Sequence, residues 1–327
     1  MKIVQIMASA ARGGGAEHLL GLCPELKKQN CHVEIVTGDD GPLADRLIEL
    51  GFRVHILDLN SSRFDMLNFL KLAGCIKAID PDIVHYHGTR AAFNGAMAKV
   101  FSKDIQSASL YTVHGLSWRK EQNPIKKAIF MTVEAIASRG SSGVISVSDT
   151  DIVDMRRYRV ISKNSSAVWH IKNAVNFDKI TNSDSSDIRE ILNIAPDKTV
   201  IGTVSRLVPQ KGVSDLIAAH SRLTNCELIV IGDGPLKVEL MSQAKNSQNR
   251  VHFLGARDDI PQLLKAIDIF ALTSLWEGEP IALIEALASG LPCVATDTKG
   301  AKEILGSSSA GKLVKIGDIN EITEALN

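Results

Sequence analysis

Lys2-Ile3-Val4-Gln5-Ile6-Met7-Ala8, followed by Arg12-Gly13-Gly14-Gly15 and the helical stretch Ala16–Leu26, sets the pattern for the whole chain. An apolar run of strand length feeds a glycine loop, and the loop opens a helix. Short apolar runs then alternate with helical patterns to the end, the mark of a parallel sheet flanked by helices. The first-half runs are Lys2–Ala8, His32–Thr37, Arg53–Asp58, Ile83–His87, Ala108–His114 and Gly143–Val147. The second-half runs are Val200–Ser205, Glu227–Gly232, Val251–Gly255, Ile269–Thr273, Cys293–Asp297 and Lys312–Ile316. Two sets of six strands predict an α/β chain of two Rossmann-like domains, residues 1–170 and 171–327, facing each other across a cleft. Trp169–Asn176 reads as the connection and hinge, and the polar tract Thr181–Asp187 as a loop leading into the second domain. Met1–Ala11 imitates a signal peptide, but Gln5 interrupts its short apolar run and the glycines follow directly. A buried first strand accounts for it better.

Composition narrows the function. A length of 327 residues exceeds one typical core. Lys plus Arg balance Asp plus Glu at 37 each, so the chain is no wholesale nucleic-acid binder. The five cysteines, Cys23, Cys31, Cys75, Cys226 and Cys293, are scattered without disulfide or zinc spacing, which suits a reducing cytoplasm. Mean hydropathy is +0.05, and no run reaches the ~18 apolar residues of a membrane span.

In open α/β sheets ligands bind beyond the carboxyl ends of the strands, so the chemistry is sought in those loops. Ser274-Leu-Trp-Glu-Gly-Glu-Pro-Ile-Ala-Leu-Ile-Glu-Ala-Leu-Ala-Ser-Gly-Leu-Pro-Cys293 is the most informative. Pro280 suits the first helical position, Gly290 the end, and Pro292 blocks continuation. The helix between them has almost no polar face and is expected to be buried, yet carries Glu285, a carboxylate needing a partner. Glu277 lies just outside the helix's positive end, whose free N–H groups suit phosphate. Glu285 would stand about 7 Å further along the axis. A ligand with hydroxyls at both ends and phosphate between them fits: a nucleotide sugar.

Gly13, Gly14 and Gly15 allow backbone to approach a diphosphate or sugar, although the third glycine of a dinucleotide fingerprint would fall at His18. Arg206 offers phosphate a planar fork and Lys211 a point charge. His114 ends its strand and is placed to donate to a sugar hydroxyl or stabilise developing charge, and His87 also points to the cleft; one of His85 and His87 is expected to be packing. His18 and the remaining histidines have no supporting context, and the set lacks metal-ligand spacing, so no metal is expected. Gly232-Asp233-Gly234-Pro235 either lines a nucleotide pocket or is turn chemistry, and Arg257 either stacks on a base or is solvated. Asp39-Asp40 reads as the cap of the next helix. Two basic clusters, Arg119, Lys120, Lys126 and Lys127 interleaved with Trp118, Ile125, Ile129 and Phe130, and Arg156, Arg157, Arg159 and Lys163, suit an anionic membrane surface, an anionic acceptor or a solvated helix face.

Together these residues resemble the retaining GT-B glycosyltransferases of the family four group. The likeness covers nearly the whole chain: Gly13–Gly15, Pro81-Asp82-Ile83-Val84-His85-Tyr86-His87, Val113-His114-Gly115, Ser205-Arg206-Leu207 through Lys211-Gly212, Gly232–Pro235 and Glu277-x7-Glu285. The last, with Gly278, Pro280, Ala286, Gly290 and Pro292 around it, is the most specific, and Gly278, Pro280 and Leu283 are expected to line the donor site. The resemblance implies that Arg206 and Lys211 bind the donor diphosphate, and that Glu277 and the amides after it meet the donor sugar. It implies that Glu285 takes the ribose hydroxyls and that His114 sits near the reactive face of the sugar. It also implies retention of configuration, no cofactor or metal, a UDP- or GDP-linked donor and a glycan or lipid-linked acceptor. The expected setting is bacterial surface polysaccharide or lipopolysaccharide synthesis, in the cytoplasm or peripherally at the inner face of the membrane. Glu279 departs from the family pattern, where an apolar residue is usual, and the chain ends at Asn327 without the usual crossover helix. A nucleotide-sugar epimerase of the same fold would need acid/base groups that the first domain does not obviously supply. A non-catalytic sugar-nucleotide-binding module is the third reading.

Overall fold

The computed structural model describes residues 1–60, 66–119, 123–161, 167–184, 187–245, 247–306 and 308–327. The chain divides into two compact units, Met1–Asn173 and Ala174–Asn327.

The first unit is built on strands β1 (Lys2–Met7), β2 (His32–Thr37), β3 (Arg53–Ile56), β4 (Ile83–His87), β5 (Ala108–Val113), β6 (Gly143–Ser146) and β7 (Val168–His170). They form one parallel sheet in the order β3-β2-β1-β4-β5-β6-β7. Helices cover both faces, so the central strands read as continuous apolar runs rather than alternating ones. Leu19, Cys23, Leu43 and Leu47 pack on Met7 and Ile35 on one face. Phe69, Leu72, Ile76 and Phe93 pack with Val4, Ile6, Val84 and Tyr86 in the other cluster.

β7 corrects the sequence reading, which made Trp169 the start of a connection. Three residues with Trp169 half exposed give no apolar periodicity. The strand nevertheless pairs Val168 with Val144 and His170 with Ser146. Gly143 on β6 makes the pairing fit, since a Cβ there would meet the Trp169 ring at 2.4 Å.

The second unit contains β8 (Thr199–Val204), β9 (Cys226–Ile231), β10 (Val251–Gly255), β11 (Ile269–Leu272), β12 (Cys293–Thr296) and β13 (Gly311–Val314). These pair in parallel in the order β10-β9-β8-β11-β12-β13. Two apolar clusters, one around Leu264, Phe270 and Leu283 and one around Leu216, Leu228 and Val230, form its core. The helix Ile319–Leu326 follows β13 and buries Ile322 and Leu326 in the second cluster, its start capped by the Asp318 carboxylate.

Several strands stop one or two residues short of the apolar runs. Ala8, His114, Ser205, Gly232 and Thr273 have already left the ladder and belong to the loops. The strand order reverses between β1 and β4 in the first unit and between β8 and β11 in the second. Such reversals are where ligands settle in this class of fold.

Candidate functional site

In the second unit the loops following β8 and β11 are laced together. Lys211 sits in a single 3₁₀ turn, Pro209–Lys211. Its Nζ donates to Glu277 Oε1 at 2.5 Å, and Ser274 Oγ donates to the same oxygen at 2.6 Å. Gln210 Nε2 donates to the Trp276 carbonyl, the Leu275 N–H donates to the Gln210 carbonyl, and Thr273 Oγ1 donates to the Gly212 carbonyl. Both charged side chains of the central pair are largely buried, 16% exposed for Lys211 and 7% for Glu277. Burial of opposite charges is tolerable only when they are paired and hydrogen-bonded, and this pair meets both conditions. Arg206 beside them is exposed, and the buried Ser205 hydroxyl has no partner among the described residues. An anion arriving here finds an available guanidinium and competes with Glu277 for the ammonium. A carboxylate so released can accept from hydroxyls.

The helix after this loop spans Ile281–Ala288, with Pro280 as its N-cap rather than its first residue. The Pro280 carbonyl accepts from the Leu283 N–H. Ile281, Leu283 and Ala286 are buried, whereas Glu285, one turn on from Ile281, is partly exposed. The expected all-round burial is therefore corrected: Ala282, Ile284, Leu287 and Ala288 are only partly buried, so apolar composition overstated depth. Gly290 takes φ 80° just past the end, and the Leu291 N–H returns to the Ala286 carbonyl. Glu279, at 8% exposure, is buried against the loop instead of lining it openly. Gly278 is crossed by another backbone: a Cβ on Gly300 would lie 1.9 Å from the Gly278 carbonyl oxygen.

Gly232-Asp233-Gly234 stitches the end of β9 to the end of β8. Gly232 has φ 139°, and a Cβ on it would fall 1.8 Å from the Ser205 carbonyl oxygen. The Leu207 N–H donates to the Asp233 carbonyl at 2.9 Å. Asp233 accepts from the Lys237 ammonium and the Gly234 N–H, which together hold its carboxyl below the usual range. Arg257 is exposed and forked onto Asp259 at 2.8 and 2.5 Å.

In the first unit β4, the loop after β5 and the first helix bring together a cluster of imidazoles, with Gln5 of β1 against them. Gly13, with φ 154°, caps the helix Gly14–Lys28, and a Cβ on Gly15 would stand 3.9 Å from the His114 ring. His87 Nε2 meets Gln5 Oε1 at 2.7 Å, and His87 Nδ1 lies 3.3 Å from His114 Nε2. His85 Nε2 meets Thr112 Oγ1 at 2.7 Å, which makes His85 the packing member of the pair. His18, one turn into the helix, lies 5.0 Å from His114 and 5.4 Å from His87 by ring centroids, with Nδ1 on Asn173 Oδ1 at 3.2 Å. Burial, then the neighbouring imidazoles, hold His85 and His114 down to about 3 and His87 well below its ordinary value. These rings are neutral at physiological pH. Behind them, Thr89 and Tyr111 donate to the fully buried Glu134, whose carboxyl burial pushes up to about 7 against those two hydrogen bonds.

Several expectations change here. His18 has no supporting context in the sequence and the histidines no linear metal-ligand spacing, yet one ring nitrogen each from His18, His87 and His114 lie within 4.8 Å of one another. Parallel pairing of β4 with β5 and the turn of a helix bring together positions far apart in sequence, which linear spacing does not register. Asp39 does not cap the helix Pro42–Glu49: Oδ1 accepts from the Ala10 N–H and Oδ2 from Asn60. Arg119 is bound to Asp151 and Asp154, and Trp118 is buried at 1%, so neither faces a membrane. Lys120 and Lys163 lie outside the described residues. No helix among the described residues is long and apolar enough to cross a membrane.

Comparison with known proteins agrees with this layout. The chain is 28% identical, over 92% of its length and 80% of the relative's, to the UDP-Gal:alpha-D-GlcNAc-diphosphoundecaprenol alpha-1,3-galactosyltransferase of Escherichia coli. It is 33% identical, over 47% of its length and 42% of the relative's, to an N-acetylgalactosamine-N,N'-diacetylbacillosaminyl-diphospho-undecaprenol 4-alpha-N-acetylgalactosaminyltransferase of Campylobacter jejuni. The structure of Anabaena HepE in complex with UDP and glucose matches with TM-score 0.86 at 25% identity, covering 100% of this chain and 89% of HepE. Residues 184–327 match the model for glycosyl transferases group 1. With residues 12–179 matching the Glycosyltransferase Family 4 model, the chain belongs to that family of glycosyltransferases.

Proposed function

We propose that the protein moves a hexose from a UDP-linked donor to a polyprenyl-diphosphate-linked glycan, with retention of anomeric configuration, in bacterial surface-glycan synthesis. The observation that carries the reading is the buried Lys211–Glu277 pair beside the exposed Arg206, at the strand-order reversal of the second unit. Arg206 and Lys211 take the donor diphosphate, Glu277 turns to the donor sugar, and Glu285 takes the ribose. Gly278, Pro280 and Leu283 shape that pocket, with Gly232, Asp233, Gly234 and Arg257 at its border. In the first unit Gly13, Gly14 and Gly15 approach the donor, and His87 positions His114, which supports the reacting sugar as a neutral donor or acceptor. The leaving phosphate takes the acceptor's proton, so both reacting bonds lie on one face of the sugar. The choice of UDP and of a lipid-linked acceptor rests on the relatives.

The test incubates the protein with UDP- and GDP-sugars and a lipid-diphosphate disaccharide acceptor, and measures nucleotide release and product anomers by NMR. The expected outcome is UDP release that depends on the acceptor and is not lost on adding chelator, with an α-linked product from an α-linked donor. A β-linked product sinks the one-face mechanism, and release from GDP-sugars alone replaces the donor.

Peripheral membrane contact is part of the same proposal. On the helix Pro124–Arg139, Ile125 is 72% and Ile129 49% exposed beside Lys126. Ile125→Ser with Ile129→Ser should reduce co-sedimentation with anionic vesicles, and undiminished sedimentation removes this helix as the contact.

A further inference from the structure

We propose that His18, His87 and His114 form a binding site for a borderline divalent cation, with zinc the best-suited ion. One ring nitrogen from each lies within 4.8 Å of the others, and among the described residues this is the group of three or more histidine, cysteine or acidic side chains so gathered. Nitrogens held tetrahedrally at about 2.0–2.1 Å from zinc stand about 3.4 Å apart. His87 Nδ1 and His114 Nε2, at 3.3 Å, are already at that spacing. The 4.8 Å spread leaves His18 up to about 1.4 Å to close, within reach of a side-chain adjustment on a partly exposed helix position.

The surroundings orient the lone pairs. Gln5 Oε1 accepts from His87 Nε2–H, which leaves the His87 lone pair on Nδ1. Asn173 Oδ1 accepts from His18 Nδ1–H, which leaves the His18 lone pair on Nε2. Ligating histidines are held in this way, with the far ring nitrogen donating to an oxygen that fixes tautomer and direction. His114 moves its proton to Nδ1 on binding, so no net proton is released. Three imidazoles without a carboxylate select zinc, cobalt or nickel over magnesium or calcium. His18 and His114 are only partly buried, so solvent can reach a fourth coordination position. Occupancy would withdraw the His114 lone pair from transfer and inhibit the enzyme. That consequence rests on the role proposed above for His114, whereas the binding itself does not.

The experiment strips the full chain with chelator and titrates zinc by equilibrium dialysis and cobalt by visible absorption. The expected result is one high-affinity ion per chain in the micromolar range or tighter, with the intense visible bands of four-coordinate cobalt. His18→Gln should weaken binding by at least about 100-fold, and Asn173→Ala by about 10-fold through loss of the orienting oxygen. His18 is partly exposed, so its variant should keep the wild-type melting profile. Equal zinc affinity in wild type and His18→Gln would overturn the proposal, since the ion would then sit elsewhere, as at Glu34 with His32 and His55. Absence of cobalt bands at saturating metal would overturn it equally.

Discussion

The two units place side chains at equivalent points of the same strand order and arm them oppositely. At the β8/β11 reversal the groups are ionic: Lys211 on Glu277, with Arg206 exposed beside them. At the β1/β4 reversal they are neutral, because burial keeps a proton off His85, His87 and His114. The difference teaches what each loop cluster can stabilise. An ion pair that can exchange partners suits an anion, while a set of neutral imidazoles suits hydroxyls and small developing charges. One topology thus serves two electrostatic tasks.

Removing the cation should have the largest effect. Lys211→Ala strands the Glu277 carboxylate and removes the charge proposed to face the leaving phosphate, so kcat/KM should fall by at least about 10²-fold, or ~2.7 kcal/mol. Steady-state kinetics check this, and a loss below threefold would make the ion pair structural. On the neutral side, His114→Ala should lower kcat by about 10- to 100-fold and leave the donor KM within about twofold. Because its pKa lies near 3, the wild-type rate should show no His114 ionisation between pH 6 and 8. A pKa near 6.5 in the kcat profile that disappears in the variant would break the neutral-imidazole half of the comparison.

Glu285→Ala should weaken UDP binding by about tenfold in calorimetry with little change in melting temperature, since the site is partly exposed and alanine favours helix. Unchanged affinity would make this carboxylate structural.

Acid should separate the units. The histidine pKa values of the first unit are depressed below the unfolded value of 6.5, so the folded state binds fewer protons there. Their contribution is complete above pH 6.5 and is lost as pH falls toward about 3. Glu134, held up to about 7, works in the opposite sense between pH 4.5 and 7, but one carboxyl does not offset the more strongly shifted imidazoles. In the second unit His220, lowered to about 4, has the same sign as the cluster but acts singly. Hydrogen exchange should therefore rise first in β4 and β5 as pH drops from 6.5 to 4; earlier loss of β8 and β9 would reverse the assignment. The smallest effect belongs to Arg257→Ala, at less than about twofold on donor KM, since its fork is occupied by Asp259.

The sheets were legible because each central strand is a continuous apolar run, and the loop residues followed from the strand ends. What escaped was what linear order cannot carry. β7 is short and gains its place from the space left by Gly143. His18 becomes a neighbour of His87 and His114 through strand adjacency and one helical turn. Glu277 and Lys211 were both identifiable, but not their mutual pairing, because it joins loops 66 residues apart. The burial of the helix Ile281–Ala288 was overestimated because its apolar residues continue onto a face that stays partly open, at Ala282, Ile284, Leu287 and Ala288.

Gly232 and Gly300 give the second unit an uneven capacity for inherited change. A methyl group at either position would collide with a carbonyl oxygen, 1.8 Å away at Ser205 and 1.9 Å at Gly278. Any amino-acid substitution at those two sites dislodges a neighbouring loop before it alters chemistry. Between them, side chains such as Arg257 can be exchanged with the backbone left in place. A lineage built on this chain can therefore drift toward new donors by rewriting the intervening residues, while the two glycines act as fixed points that selection cannot move.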